Sequence, residues 1–225
     1  MLTAGWVRLS AWAARENEPW RAIACSVRRW ATCRSMVGKM YVIVCIRTID
    51  FPDGGRAGTI GPMVIRPATP ADNPAMAAIW NREVLQTAAT SDTEPRAPEA
   101  QRAWLAAHGR RHPVIVAAEG DEVVAFGALS PYRTKPSYAC TVENSVYVKD
   151  GWRGKGLGGL VLDRLLALAR EHGHHSVIAR ITAPNEASLA LHERHGFTRV
   201  GRERQVAFKH GAWLDVVTLQ RVFMD

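Results

Sequence analysis

Several features are scarce in this 225-residue chain. No strictly apolar run is much longer than Tyr41–Ile46, whereas a spanning helix needs about 18 to 20 such residues. No membrane partner is therefore expected. Cysteine is sparse, with four residues and no CxxC pair, which excludes a disulfide framework and a zinc knuckle. No basic segment leads into a long apolar stretch near the N-terminus, so a secretory signal is not read and the expected location is cytoplasmic. Glu16 and Glu18 count against an organelle transit peptide. Hydrophobic residues at 47% and charged residues at 22% exclude collagen-like, low-complexity and wholly disordered readings. The length suffices to bury a core without disulfides or metals.

Acidic residues are in deficit, with 21 Asp/Glu against 29 Lys/Arg and a net charge of +8. That deficit is local. Residues 1–62 carry nine basic and four acidic residues, three of the four cysteines, and none of the eight histidines. Residues 63–225 hold a net charge of only +3. The first part reads as a poorly ordered basic extension, with Met63 as the natural start of the folded domain. Its only candidate element is a short strand within Met40–Ile46. Charge alone, with no recognition motif, does not make a nucleic-acid partner.

From Met63 the pattern is regular. Met63–Arg66 reads as a strand, and Asp72 as the N-cap of an amphipathic helix over 72–87. Pro98 opens a second helix to about His108. Val114–Ala118 and Val123–Leu129 are strands joined by a tight hairpin at Glu119-Gly120-Asp121. Thr141–Val148 places Val142, Val146 and Val148 on one face and Glu143, Ser145 and Tyr147 on the other. A glycine-rich turn leads to a long helix over 156–172. Strand Ser176–Thr182, helix Asn185–Arg194 and strands Phe197–Val206 and Trp213–Val222 follow. The order predicts an α/β fold with a mixed sheet.

The turn Arg153-Gly154-Lys155-Gly156-Leu157-Gly158-Gly159 joins a strand to a helix, which makes an anion cradle. Backbone N–H groups can approach a ligand there, and the helix start adds partial positive charge. The Walker A pattern fails, because Lys149 stands where glycine is required and Gly156 where Ser or Thr should follow Lys155. A dinucleotide G-x-G-x-x-G is formally matched by Gly154, Gly156 and Gly159. Nothing acidic lies between Glu171 and Glu186 to take a ribose, however, and several antiparallel strands precede the turn.

The third pattern, Arg-x-x-Gly-x-Gly at Arg153, Gly156 and Gly158 after a Val-x-Val strand, resembles the acetyl-CoA pyrophosphate loop of GNAT N-acetyltransferases. Thr141–Val148, Pro184-Asn185, Leu191–Arg194 and Phe208–Asp215 extend the resemblance to the phosphinothricin and methionine sulfoximine N-acetyltransferase branch, over about residues 64–223. It implies a GNAT fold: a mixed, mostly antiparallel sheet flanked by helices, with central strands splayed at the acetyl-CoA site. It also implies that Val146, Tyr147 and Val148 line the pantetheine arm. Arg153, Gly154, Lys155, Gly156, Leu157 and Gly158 would hold the pyrophosphate, with Asn185 and Ser188 nearby. Glu143 matches the family's proposed general base, and a carboxylate buried in a β-branched strand should have a raised pKa suited to that work. His192 matches the position of the acid that protonates the departing thiolate.

The acceptor loop before that strand supplies Tyr132, Arg133, Lys135 and Tyr138. The branch often has an arginine just before Thr-Val-Glu, and here Ala139 and Cys140 stand instead. Cys140 reads as a half-buried strand residue. No metal is expected, since His192, His195, His174 and His175 lack a completing carboxylate. The implied activity is transfer of acetyl from acetyl-CoA to a small amino-acid-like amine. Acetylation of protein N-termini or aminoglycosides, and a non-catalytic acyl-CoA-binding module, are the alternatives. The resemblance also implies a homodimer, to which Trp213, Leu214, Val216 and Val217 would contribute.

Overall fold

The structure is a computed structural model that describes residues 63–224 and the backbone of Val42–Val44. Except for that strand, the expected disorder and charge of residues 1–62 lie outside the described residues. The chain runs β1 (Val42–Val44), β2 (Met63–Pro67), α1 (Asn73–Gln86), α2 (Pro98–Ala106), β3 (Val114–Glu119), β4 (Glu122–Pro131) and β5 (Thr141–Val148). It continues through α3 (Leu157–Glu171), β6 (Ser176–Ala183), α4 (Glu186–Arg194), β7 (Thr198–Lys209) and β8 (Ala212–Val222). The expected order is present, with element ends shifted by up to a few residues. The strand expected within Met40–Ile46 is β1, which pairs with β2.

One sheet orders the strands β1-β2-β3-β4-β5-β6-β8-β7. Only β5 and β6 are parallel. Their connection therefore crosses over, and α3 is the crossover helix. The α3 stripe Leu157, Val161, Leu165 and Leu168 packs with Val142, Val177 and Leu189 on one face of the sheet. Met76, Ile79, Trp80 and Val84 of α1 pack with Phe126 and Val116 on the other face, where Trp104 of α2 joins them. Two hydrophobic layers thus sandwich the sheet.

The close fit of α3 depends on Gly127 of β4. A Cβ there would meet Val161 Cγ1 at 2.6 Å and Leu165 Cδ1 at 2.8 Å. Any side chain would push the helix off the strand.

Three local expectations need correction. Asp72 caps no α1 amide with its side chain. Its carboxylate instead takes Arg66 at 2.7 Å and the Thr69 N–H at 2.7 Å, which fixes the turn before the helix. Cys140 is exposed in a turn, because pairing with β6 begins only at Thr141. Leu214, Val216 and Val217 are buried, since β8 lies between β6 and β7; of the four residues expected on an interface, only Trp213 is exposed.

The feature that positions the site is a break in pairing. β5 and β6 are paired only from Thr141–Glu143 to Ser176–Ile178. β5 remains paired to β4 as far as Val148, and β6 remains paired to β8 as far as Ala183. Beyond Glu143 the two strands therefore splay, and each presents one edge unpaired by its neighbour. Backbone polar groups on such an edge need partners from elsewhere.

Candidate active site

The splay opens toward the glycine-rich turn. Gly151, Gly154 and Gly156 have φ of 76°, 75° and 77°, a region that side chains disfavour. A Cβ at any of the three would meet nothing within 4 Å, so backbone conformation rather than space selects glycine there. Gly156 is the N-cap of α3 and, lacking a side chain, caps none of the first amides. Those N–H groups are left for an external acceptor at the positive end of a 15-residue helix. Gly158 has a further reason to be small, since a Cβ there would lie 3.3 Å from Leu191 Cδ2 of α4.

The cations of the turn are differently placed. Arg153 donates to the buried Glu83 carboxylate of α1 and, at 3.4 Å, to the Val148 carbonyl. Lys155 lies with its ammonium 4.7 Å from the Trp152 ring centroid. Backbone amides and Lys155 are thus the groups at the turn without a carboxylate partner among the described residues.

Along β5, Val146 and Val148 pack toward α3. Tyr147 points the other way, its ring 4.9 Å from Trp80 and 5.2 Å from Phe126. Only the backbone of Tyr147 can line the splay. Burial raises its phenol pKa well above the ordinary value.

Glu143 shares the Tyr147 face and sits at the last paired position before the strands part. It is half-buried and has no hydrogen bond or ion pair among the described residues. Burial raises its pKa above 4.5, partly offset by Arg180 of β6. A carboxylate without donors, at the apex of an open cleft, is a proton acceptor that gives up little to accept.

The next residue, Asn144, faces the other side and reaches α4. His192 Nδ1 lies 2.8 Å from the Ser188 carbonyl, which can only accept, so Nδ1 carries the hydrogen. Nε2 then accepts from Asn144 Nδ2 at 3.0 Å. The ring is neutral, in keeping with burial that lowers its pKa below 6.5. In this state Nε2 must gain a proton before it can give one away. Asn144 Oδ1 is buried without a partner among the described residues, an open acceptor at the same apex. Asn185 caps α4, its side chain accepting from Ser188 N at 3.2 Å.

Of the acceptor-loop residues, Arg133, Lys135 and Tyr138 are exposed and Tyr132 is half-buried. Arg133 stacks on Tyr132 at 4.9 Å, and Tyr132 meets Tyr138 edge-on at 5.7 Å. Lys135 precedes the short 3-10 turn Pro136–Tyr138. The histidines do not converge, and no group of three or more His, Cys, Asp or Glu among the described residues is placed to hold a metal. No helix of the described residues is long and apolar enough to cross a membrane.

Sequence reasoning missed Glu83, Thr90, Asn144, Thr182 and Lys209. Glu83 was signalled by its place in the apolar stripe of α1, where a charge needs a partner. The others carry no local signal.

Residues 77–197 match the acetyltransferase (GNAT) family. This chain belongs to the GNAT acetyltransferase family. It is an acetyl-CoA-dependent N-acetyltransferase. The chain is 39% identical over 161 residues to a phosphinothricin N-acetyltransferase of Streptomyces coelicolor, covering 70% of this chain and 94% of that protein. It is 39% identical over 158 residues to an L-methionine sulfoximine/L-methionine sulfone acetyltransferase of Pseudomonas aeruginosa, covering 69% and 92%. Among solved structures it resembles a Salmonella typhimurium acetyltransferase determined with acetyl-CoA, with a TM-score of 0.70, 36% identity, and 72% and 95% coverage. A ribosomal-protein-alanine N-acetyltransferase of Brucella melitensis gives a TM-score of 0.69 at 39% identity, covering 71% and 99%.

Proposed function

We propose that this enzyme acetylates the primary amine of a small amino-acid-like molecule of the phosphinothricin or methionine sulfoximine type, with Glu143 as general base. The carrying observation is the unpartnered, half-buried Glu143 carboxylate at the point where β5 and β6 part. Acetyl-CoA supplies an activated acetyl thioester. The residues 154–158 and the first amides of α3 fit its pyrophosphate, and the unpaired edge of β5 at Val146 and Val148 fits its pantetheine arm. Lys155 adds a cation, and Ser188 and Asn185 flank that arm from α4.

Glu143 takes the proton from the ammonium of the acceptor, directly or through a water, and so makes the amine nucleophilic. Backbone N–H groups of the splayed β5 edge offer hydrogen bonds to the charge that develops on the thioester oxygen. His192, neutral with Nε2 accepting, stands as the site that receives a proton before the thiolate is protonated. The exposed Arg133 guanidinium donates to the Tyr132 hydroxyl at 3.5 Å and feels the Glu203 carboxylate; its remaining N–H donors would take the carboxylate of an amino-acid acceptor, with Lys135, Tyr132 and Tyr138 around it. These residues stand in for the arginine that Ala139 and Cys140 replace.

A second reading is favoured by the likeness to the Brucella enzyme: the acceptor would be the N-terminal amine of a peptide beginning with alanine. One screen separates the two. CoA release is measured with amino acids, methionine sulfoximine, phosphinothricin, aminoglycosides, polyamines and an alanine-initiated peptide. The amino-acid sulfoximines and phosphinothricin are expected to lead by kcat/KM. Preference for the peptide would replace the proposal, and binding of acetyl-CoA with no turnover of any amine would leave only a binding module.

A further inference from the structure

Lys209 ends β7 at a two-residue turn in which His210 and Gly211 have φ of 50° and 77°, and it pairs with Ala212. Pairing of β6 with β8 ends at Ala183 and Asp215. The β7–β8 tip therefore reaches past the end of β6, at the open end of the splay. A lysine at a hairpin tip ordinarily extends into water. Lys209 is only 3% exposed.

Its ammonium is spent on backbone. Nζ donates to the Thr90 carbonyl at 2.8 Å and to the Glu83 carbonyl at 3.3 Å. Both carbonyls belong to the end of α1 and the connection that follows it. The same connection is tied by Thr182 of β6, which donates to the Ala88 carbonyl. Thr87 Oγ1 donates to Glu83 Oε2 at 2.9 Å, and Glu83 in turn holds Arg153 of the phosphate turn. Arg153 also donates to the Val148 carbonyl that ends β5. The segment 87–93 is thus fastened to β6 directly and to the end of β5 through Glu83 and Arg153, on the face that carries Glu143 and Tyr147.

We propose that Lys209 is a positioning residue for the acceptor: it seats segment 87–93 across the open end of the splay as a wall of the acceptor site. This rests on the N-acetyl transfer reading above. A charge-assisted bond to a carbonyl is stronger than a neutral one, and removing the ammonium takes from the Thr90 carbonyl its donor at 2.8 Å, while the Glu83 carbonyl keeps the Thr87 N–H at 3.2 Å. The segment would then leave its place. The carboxylates of Asp92 and Glu83 also attract the ammonium, so side chains and backbone of the segment together hold it to Lys209. The wall lies on the Glu143 face, opposite α3, so its loss should fall on the acceptor before it falls on acetyl-CoA.

The test uses full-length Lys209→Met and Lys209→Arg with the best acceptor found for the wild type. Lys209→Met is expected to raise the acceptor KM roughly tenfold, with the acetyl-CoA Kd within about twofold of wild type. Lys209→Arg, which keeps a cationic donor, is expected to recover part of the loss. A merely structural role would lower Tm and the active fraction while leaving the acceptor KM unchanged, and that result overturns the proposal. Should Lys209→Met fail to fold, Thr182→Val cuts the tie to Ala88 from β6 and should raise the acceptor KM in the same direction; no change there overturns it equally. A wild type that turns over no amine sinks the functional reading and this inference with it. An active wild type with an insensitive KM sinks the positioning role alone.

Discussion

The two sides of the splay are built from different materials. The proposed cofactor side is made of backbone: a glycine turn, the amides that open α3, and one unpaired edge of β5. The proposed acceptor side is made of side chains brought from α1, the segment after it, β5, β6 and the tip of β7. Backbone sites come as contiguous stretches of sequence, because successive amides must converge on one ligand. Side-chain sites are assembled across the chain, as the Lys209 bond to Glu83 spans 126 positions. The first kind tolerates changes of side chain but not of conformation, and the second the reverse.

The largest expected effect lies where the two sides meet. Glu143→Gln should lower kcat by roughly 10²-fold or more while the calorimetric affinity for acetyl-CoA stays near wild type. The base works only when ionised, and burial raises its pKa above 4.5. In the wild type, kcat/KM should therefore fall as pH drops through that raised value, and Glu143→Gln should lose this acid limb. An unchanged limb in the variant would assign it to another group and leave the two sides without the shared residue proposed for them.

A scaffold change should touch neither side selectively. Gly127→Ala forces a Cβ to within 2.6 Å of Val161 Cγ1, and overpacking of this kind costs about 1–3 kcal/mol. Tm should fall, with both KM values unchanged in the folded fraction. A selective rise in one KM would show that the seating of α3 on β4 belongs to the site itself.

Gly156→Ala tests the claim that the cofactor side is conformational. A Cβ there has open space, so the cost is that of a left-handed residue, about 1–2 kcal/mol. Expressed at the turn, that amounts to roughly a tenfold rise in acetyl-CoA KM, with the acceptor KM unmoved. A rise in the acceptor KM of equal size would dissolve the distinction between the two sides.

This division also explains what could be read without the structure. The succession of strands and helices and the glycine turn were legible because alternation, helical spacing and a contiguous motif record them, whereas the splayed pair was implied only by the family resemblance. Gly127 was not, since its need for small size comes from Val161 and Leu165, which approach only when α3 folds back. Cys140 was misread because the pairing of β5 starts one residue later than the apolar pattern suggests. Val216 and Val217 were placed outside because consecutive apolar residues look one-sided only until β8 is known to be flanked on both edges. Lys209 lay within a segment whose resemblance was noticed, but a lysine beside a turn reads as solvated until its two carbonyl partners are seen.

Asn185 belongs to both descriptions, and the smallest prediction concerns it. Its side chain accepts from Ser188 N at 3.2 Å, and loss of such a cap costs about 1 kcal/mol, or roughly 2–4 °C in Tm for a chain of this size. Asn185→Ala should show that drop, and Asn185→Ser, which retains a capping oxygen, should recover most of it. If Asn185 only caps, acetyl-CoA KM stays at the wild-type value in both variants. If it also meets the cofactor arm, the serine variant restores Tm but not KM, because a shorter side chain can cap its own helix without reaching across the splay. The split between stability and KM in that one variant decides whether the cofactor side is backbone throughout or borrows a side chain at its far end.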